Sequence, residues 1–135
     1  MKKPPDMLKV FDSSAVLAFL YGEPGARQVR PDLPDGAIGS VNAAEVLAVL
    51  VRDGTPLADA RLALEKTGVT IVDFSWEHAI KTAEILSPKV RSSGISLGDR
   101  ACIAIALAMD APAVTADRAW VGLRIPGLLV ELIRD

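Results

Sequence analysis

Four acidic residues stand where strand-like stretches give way to helix-like ones, and together they could hold a cation. Asp12 follows the apolar "KVF", Glu45 falls in the first turn after "AIGSV", Asp117 follows "AVT", and Asp99 opens the apolar segment "ACIAIALAM". In a parallel sheet, strand ends and the helix starts after them gather along one edge, where open α/β sheets place their ligands. Two carboxylates ~5 Å apart repel by about 3 kcal/mol at an effective dielectric of about 20. Four around one crevice therefore raise one another's pKa values or require a cation. With all-oxygen donors, the suitable guests are the hard ions Mg²⁺ or Mn²⁺. Ions held this way activate water and neutralise charge on a phosphodiester during hydrolysis.

Each acid also has a plain structural reading. Asp12 and Asp117 are good helix N-caps by residue type. Glu45 lies three after Asn42, and Asp99 three after Ser96, both at capping-box spacing. The helix dipole favours acids in a first turn as well. A cap contributes only about 1 kcal/mol, less than the mutual repulsion, so clustering without a cation is unfavourable. On this reading Asp12 both caps its helix and faces the metal.

Other chemistries lack their residues. The chain has one histidine, His78, and one cysteine, Cys102, which excludes intramolecular disulfides, thiolate-rich zinc sites and a His-based triad. No G-x-S-x-G elbow, phosphate-binding loop or dinucleotide fingerprint is present. A phosphatase of the haloacid dehalogenase type also ends its first strand in Asp, but wants a second Asp where Ser14 stands. A receiver domain wants a paired lysine that the sequence does not offer. The non-enzymatic alternative is an α/β interaction module whose acids only cap helices. His78 reads as a surface residue, Cys102 as an inert core thiol, and Trp76 and Trp120 as core or interface side chains. Lys89 and Arg91 read as part of a solvated loop, and Asp32, Asp35 and Asp110 as surface residues. Arg100 and Arg118 adjoin site acids and either hold flanking phosphates or pair with carboxylates.

Strands and helices that carry these residues alternate along the chain. Strand candidates are Leu8–Phe11, Ala37–Val41, Val69–Phe74, Ala113–Thr115 and Leu128–Ile133. Helical patterns cover 42–53 after Asn42, 56–67 after Thr55, 76–86 after Ser75, and the segment from Ser96 to Pro112. Residues 87–96, "SPKVRSSGIS", read as loop. Alternating strands and helices imply a parallel sheet with helices on both faces. The 135 residues suit one domain, 1–135. Their net charge of −2 argues neither for nor against nucleic acid. The opening "MKKPPD" is not followed by a signal-peptide core, and no run approaches the ~20 apolar residues of a membrane span. The expected location is cytoplasmic. The mean hydropathy of +0.32 is high, and "AAEVLAVLV" and "ACIAIALAM" are apolar nearly all round. One such helix fits the centre of a core; a second leaves an exposed face and predicts a homodimer.

The stretches "VFDSSAVLAFLYGEPGA", "SVNAAEVLAVL", "SLGDRACIAIALAM" and "AVTADRAW" together resemble the PIN domain, specifically the VapC-like toxins of type II toxin–antitoxin systems. The likeness spans nearly the whole chain, with Ser13 in place of the commoner Thr. It implies a single PIN-like α/β domain whose five parallel strands run in the order 3-2-1-4-5, flanked by helices. It also implies an Mg²⁺- or Mn²⁺-dependent endoribonuclease with Asp12, Glu45, Asp99 and Asp117 as catalytic and metal residues. Asp12, Asp99 and Asp117 would hold the metal, and Glu45 would complete the shell or act through a bound water. Ser14 and Thr115 match the family's supporting hydroxyls. The implied partners are RNA, cut to 5′-phosphate and 3′-hydroxyl ends, a cognate VapB-like antitoxin, and a second copy of the chain.

Overall fold

Short apolar stretches bounded by turn residues form five strands: β1 Val10–Phe11, β2 Ala37–Gly39, β3 Thr70–Val72, β4 Ala113–Thr115 and β5 Val130–Leu132. The computed structural model describes residues 8–135; the "MKKPPD" stretch discussed above lies outside the described residues. All pairings are parallel, in the order β3-β2-β1-β4-β5. Val10 stands opposite Ala37 on one side and Ala113 on the other, which makes β1 the centre of the sheet. The expected strand order is therefore observed, and every strand falls inside its expected range.

Seven helices join these strands: α1 Ser13–Tyr21, α2 Ala26–Val29, α3 Ser40–Arg52, α4 Leu57–Lys66, α5 Trp76–Glu84, α6 Pro88–Ser92 and α7 Leu97–Met109. Single 3-10 turns occur at Arg30–Asp32 and Arg118–Trp120. Successive strand residues point to opposite faces, and β1 shows the consequence. Phe11 enters a core with Val16, Leu33, Ile38, Val46 and Leu64. Val10 enters a second core with Ile103, Ile105, Trp120 and Leu123. Both faces of the sheet are thus covered, the usual requirement for parallel strands. Lys9, just before β1, bonds both Asp32 and Glu131 at 2.8 Å, linking the first 3-10 turn to the edge strand β5.

Helix α7 is buried around its whole circumference from Ala101 to Ala106. It is the apolar helix expected at the centre of the core, whereas α3 leaves Ala44, Ala48 and Val51 exposed. Other local expectations need correction. The loop-like 87–96 segment contains α6: the Ser87 side chain accepts from the Val90 amide, Pro88 takes the first turn, and Val90 is buried. The Ser-Pro pair was the available signal. Helix α3 begins at Ser40 with Gly39 at the N-cap, which places Asn42 inside the helix rather than at its cap. Trp120 is a core residue, but Trp76 is 74% exposed.

Candidate metal centre

Asp12 is 2% exposed at the C-terminal end of the central strand. It occupies the N-cap position of α1, yet its side chain caps nothing. Its Oδ2 instead accepts from Ser14 Oγ at 2.7 Å and from Thr115 Oγ1 at 3.0 Å. The two hydroxyls also lie 3.2 Å from each other, where either could be the donor. As acceptors, Ser14 Oγ takes the Ala116 amide at 3.0 Å, and Thr115 Oγ1 takes the Asp117 amide at 3.1 Å. The result is a network that fixes the carboxylate through Oδ2 and leaves Oδ1 buried without a hydrogen-bond partner. The expectation that Asp12 also caps α1 is therefore overturned, because Oδ2 is turned to the two hydroxyls.

Burial is the main reason the Asp12 carboxyl is pushed up to about 6; the charges of Asp99 and Glu45 add to it, and the hydroxyl bonds oppose it. Asp99, at the start of α7, is also raised, first by burial and then by the Asp117 and Glu45 charges, against hydrogen bonds from Ser96. Asp99 forms the expected capping box: Ser96 Oγ accepts the Asp99 amide at 3.1 Å, and Asp99 Oδ2 accepts the Ser96 amide at 2.9 Å. Asp117 caps as expected, its Oδ1 accepting the Ala119 amide at 2.9 Å, and it is exposed. Glu45 is half-buried in the second turn of α3, and its Oε1 accepts from Asn42 Nδ2 at 3.0 Å rather than joining a capping box.

The four acids share one edge and feel one another's charge, but each carboxylate is held by its own local bonds. Among the described residues, no three His, Cys, Asp or Glu side chains form a ready-made cation cage. The donor set nevertheless suits a hard divalent ion, being carboxylate oxygen throughout. The bare, buried Oδ1 of Asp12 is the atom such an ion would satisfy. Asp12, Asp99, Asp117 and Glu45 fit that group by the chemistry of their donors, and the charges of Glu45 and Asp99 act on Asp12 as those of Asp117 and Glu45 act on Asp99.

The neighbouring residues divide. Arg100 does not face the acids: its Nη1 donates to the Thr82 carbonyl at 3.0 Å, pinning α7 to α5. Arg118 is exposed beside Asp117 and forms no ion pair among the described residues. Cys102 lies fully buried beneath the edge, and burial first, then the charges of Asp12, Asp99 and Glu45, pushes its thiol well up; it is inert, as expected. His78 is half-buried rather than a free surface residue, with Nδ1 accepting the Ser75 amide at 2.9 Å in a second capping box. Lys89 and Arg91 are exposed on α6. An open groove of about 470 Å³ is lined by Ser14, Leu17, Val49 and two arginines, Arg52 and Arg134, together with the acids Glu23 and Asp53. Sequence reasoning paired Asn42 with Glu45 through their i, i+3 spacing but as a capping box; it missed Gly98, which the Asn42 amide also bonds.

The strand order and the acids on its edge match a known domain type, and the family model of the PIN domain matches residues 9–124. The chain belongs to the PIN domain family. No curated protein sequence matches this PIN domain. Among solved structures, it is similar to a chain of VapBC2 from Rickettsia felis bound to a DNA fragment from its promoter, at 21% identity and TM-score 0.71, covering 93% of this chain and 98% of that one. A toxin–antitoxin complex from Klebsiella pneumoniae gives 20% identity and TM-score 0.70, over 90% of this chain and 95% of that one. VapBC-5 from Mycobacterium tuberculosis gives 23% and 0.61, over 96% and 99%. At these identities the likeness is one of fold.

Proposed function

We propose that this PIN domain is a divalent-metal-dependent endoribonuclease, the toxin component of a VapBC-type toxin–antitoxin pair. The observation that carries the reading is the buried Asp12 Oδ1 without a hydrogen-bond partner, on a carboxylate pushed up to about 6 beside Asp99 and Glu45. A bound ion is one of the partners that such a buried atom calls for, and on a carboxylate beside two further acids it is the one that also relieves the repulsion. Asp12, Asp99 and Asp117 would hold Mg²⁺ or Mn²⁺, and Glu45 would complete the shell or act through a bound water. When bound, the ion supplies a more acidic water and neutralises charge on the phosphodiester.

The chain's own residues supply position. Ser14 and Thr115 keep Oδ2 engaged, so Asp12 offers one defined oxygen. Asp99 is held at the α7 N-terminus by its capping box, which sets where its free oxygen stands. Arg118, exposed next to Asp117, is the cation available to a flanking phosphate. Arg100, bonded into α5, serves packing instead. A groove lined by Ser14, which bonds Asp12, also carries Arg52 and Arg134, two cations available to the phosphates of a single strand. Those arginines pair with Asp53 and Glu23 on the surface, where ion pairs are weak enough to exchange for phosphate.

The antitoxin partner is supported by the solved VapBC and toxin–antitoxin complexes that share this fold. A homodimer of single-domain chains in the cytoplasm completes the reading. Exposed apolar side chains, Trp76 foremost, are the surface a second copy would cover. No helix among the described residues is long and apolar enough to cross a membrane.

The test is to incubate the purified chain with total cellular RNA and Mn²⁺ or Mg²⁺ and to map the new ends. Discrete cuts with 5′-phosphate ends, abolished by EDTA and by Asp99→Asn, are expected. Metal-independent cutting, or cutting that survives Asp99→Asn, contradicts the proposal. An interaction module whose acids only cap helices predicts no cutting and no response to divalent ions.

A further inference from the structure

Asn42 is fully buried inside α3, where an apolar residue would be the ordinary choice. Its Nδ2 donates to Glu45 Oε1 and to the Gly98 carbonyl oxygen, both at 3.0 Å. Both partners are acceptors, so only the NH₂ end of the amide can face them. Its Oδ1 is buried with no donor among the described residues. An apolar residue would avoid that orphan, and what the amide provides in exchange is the pair of donated bonds. They tie α3 to the first turn of α7 and hold the Glu45 carboxylate against Gly98.

Gly98 completes the arrangement from the other side. A β-carbon there would overlap Glu45 Oε2 and stand 2.9 Å from Cδ and 3.1 Å from Oε1. The Gly98 backbone is not left-handed, so alanine would suit the helix itself. The Glu45 carboxylate is what fills the space. Helix α7 therefore carries no side chain where Glu45 rests, one residue before Asp99.

We infer that Asn42 and Gly98 form a clasp that positions Glu45 as a cation ligand, so that these two residues set the affinity of the acidic edge for a divalent ion. The inference rests on the metal-site reading above and adds two positioning residues to it. Asn42 steers Oε1, and Gly98 leaves the room that Oε2 occupies. Neither touches the reacting atoms.

The test uses Mn²⁺ alone as probe, titrated calorimetrically into the full chain, into Gly98→Ala, into Glu45→Gln and into the double variant. Alanine is the better helix former and Glu45 is flexible enough to move aside, so Gly98→Ala should keep or raise the thermal midpoint. Its Mn²⁺ dissociation constant should nevertheless rise about 10-fold, as for other outer residues that orient metal ligands. In the Glu45→Gln background, Gly98→Ala should weaken binding no further, the mark of two residues acting through one contact. Asn42→Ala should repeat this pattern, and its cycle with Glu45→Gln reads the same coupling if alanine at position 98 disrupts folding. Unchanged Mn²⁺ affinity in Gly98→Ala, or an equal further loss on top of Glu45→Gln, overturns the clasp alone. A wild-type chain that binds no Mn²⁺ overturns the metal-site reading and the clasp with it.

Discussion

Asp12 concentrates the electrostatics of the site in one side chain. Its carboxyl is pushed up to about 6, mainly by burial, whereas an unfolded aspartate titrates near 3.8. The folded state therefore binds this proton more tightly than the unfolded state. The stability it contributes is fully present below about pH 4 and is lost as pH rises through about 6. The difference is on the order of 3 kcal/mol. Metal-free thermal unfolding should thus show wild type gaining on Asp12→Asn as pH falls from about 7.5 to about 4.5. Parallel curves for the two proteins would mean that Asp12 is not perturbed. Added Mn²⁺ should stabilise wild type near neutrality and progressively less in acid, because the proton competes for the same carboxylate. Thr115→Val removes one donor from Oδ2 and strands the Asp117 amide. It should cost about 1–3 kcal/mol at neutral pH, measured by denaturant unfolding, and no loss would mean the hydroxyl network is idle.

At the scale of elements, α7 matters most, because its first turn carries Asp99 and Gly98 while its body fills the core. Ser96→Ala removes the side-chain half of the capping box and should destabilise the chain by about 1 kcal/mol. It should also slow RNA cleavage, since Asp99 loses the contact that fixes its backbone; cleavage at the wild-type rate would separate the cap from the chemistry. The Ser96–Asp99 box was legible in the sequence because its partners lie three residues apart. The bonds to Asp12 were not all legible. Ser14 is two residues away, but Thr115 is 103 residues away and meets Asp12 only because β4 pairs with β1. Asn42 was misread for the same reason: its bond to Gly98 spans 56 residues, and residue type alone suggested a cap. The α6 error was different in kind, because serine and glycine around a short helix outweighed its Ser-Pro start.

For the whole molecule, alternating apolar stretches were enough to place five strands, and the family resemblance supplied their order. Which of the two apolar helices is central was not legible, since a helix apolar all round reads the same in the core as at an interface. Helix α7 is the core case, so the proposed homodimer must use other surfaces. Light scattering at micromolar concentration should give twice the 14.3 kDa chain mass, and a monomer mass would contradict that proposal. The net charge of −2 gives no overall attraction for RNA, so a cation on the acidic edge and local arginines must supply it.

Crystals grown with Mn²⁺ would show whether the edge around Asp12 holds a divalent cation. An anomalous-scattering peak is expected within coordination distance of Asp12 Oδ1, with Asp99 as a further ligand. A well-ordered structure from saturating Mn²⁺ with no peak on that edge, or with the ion bound elsewhere and Oδ1 still bare, would contradict it.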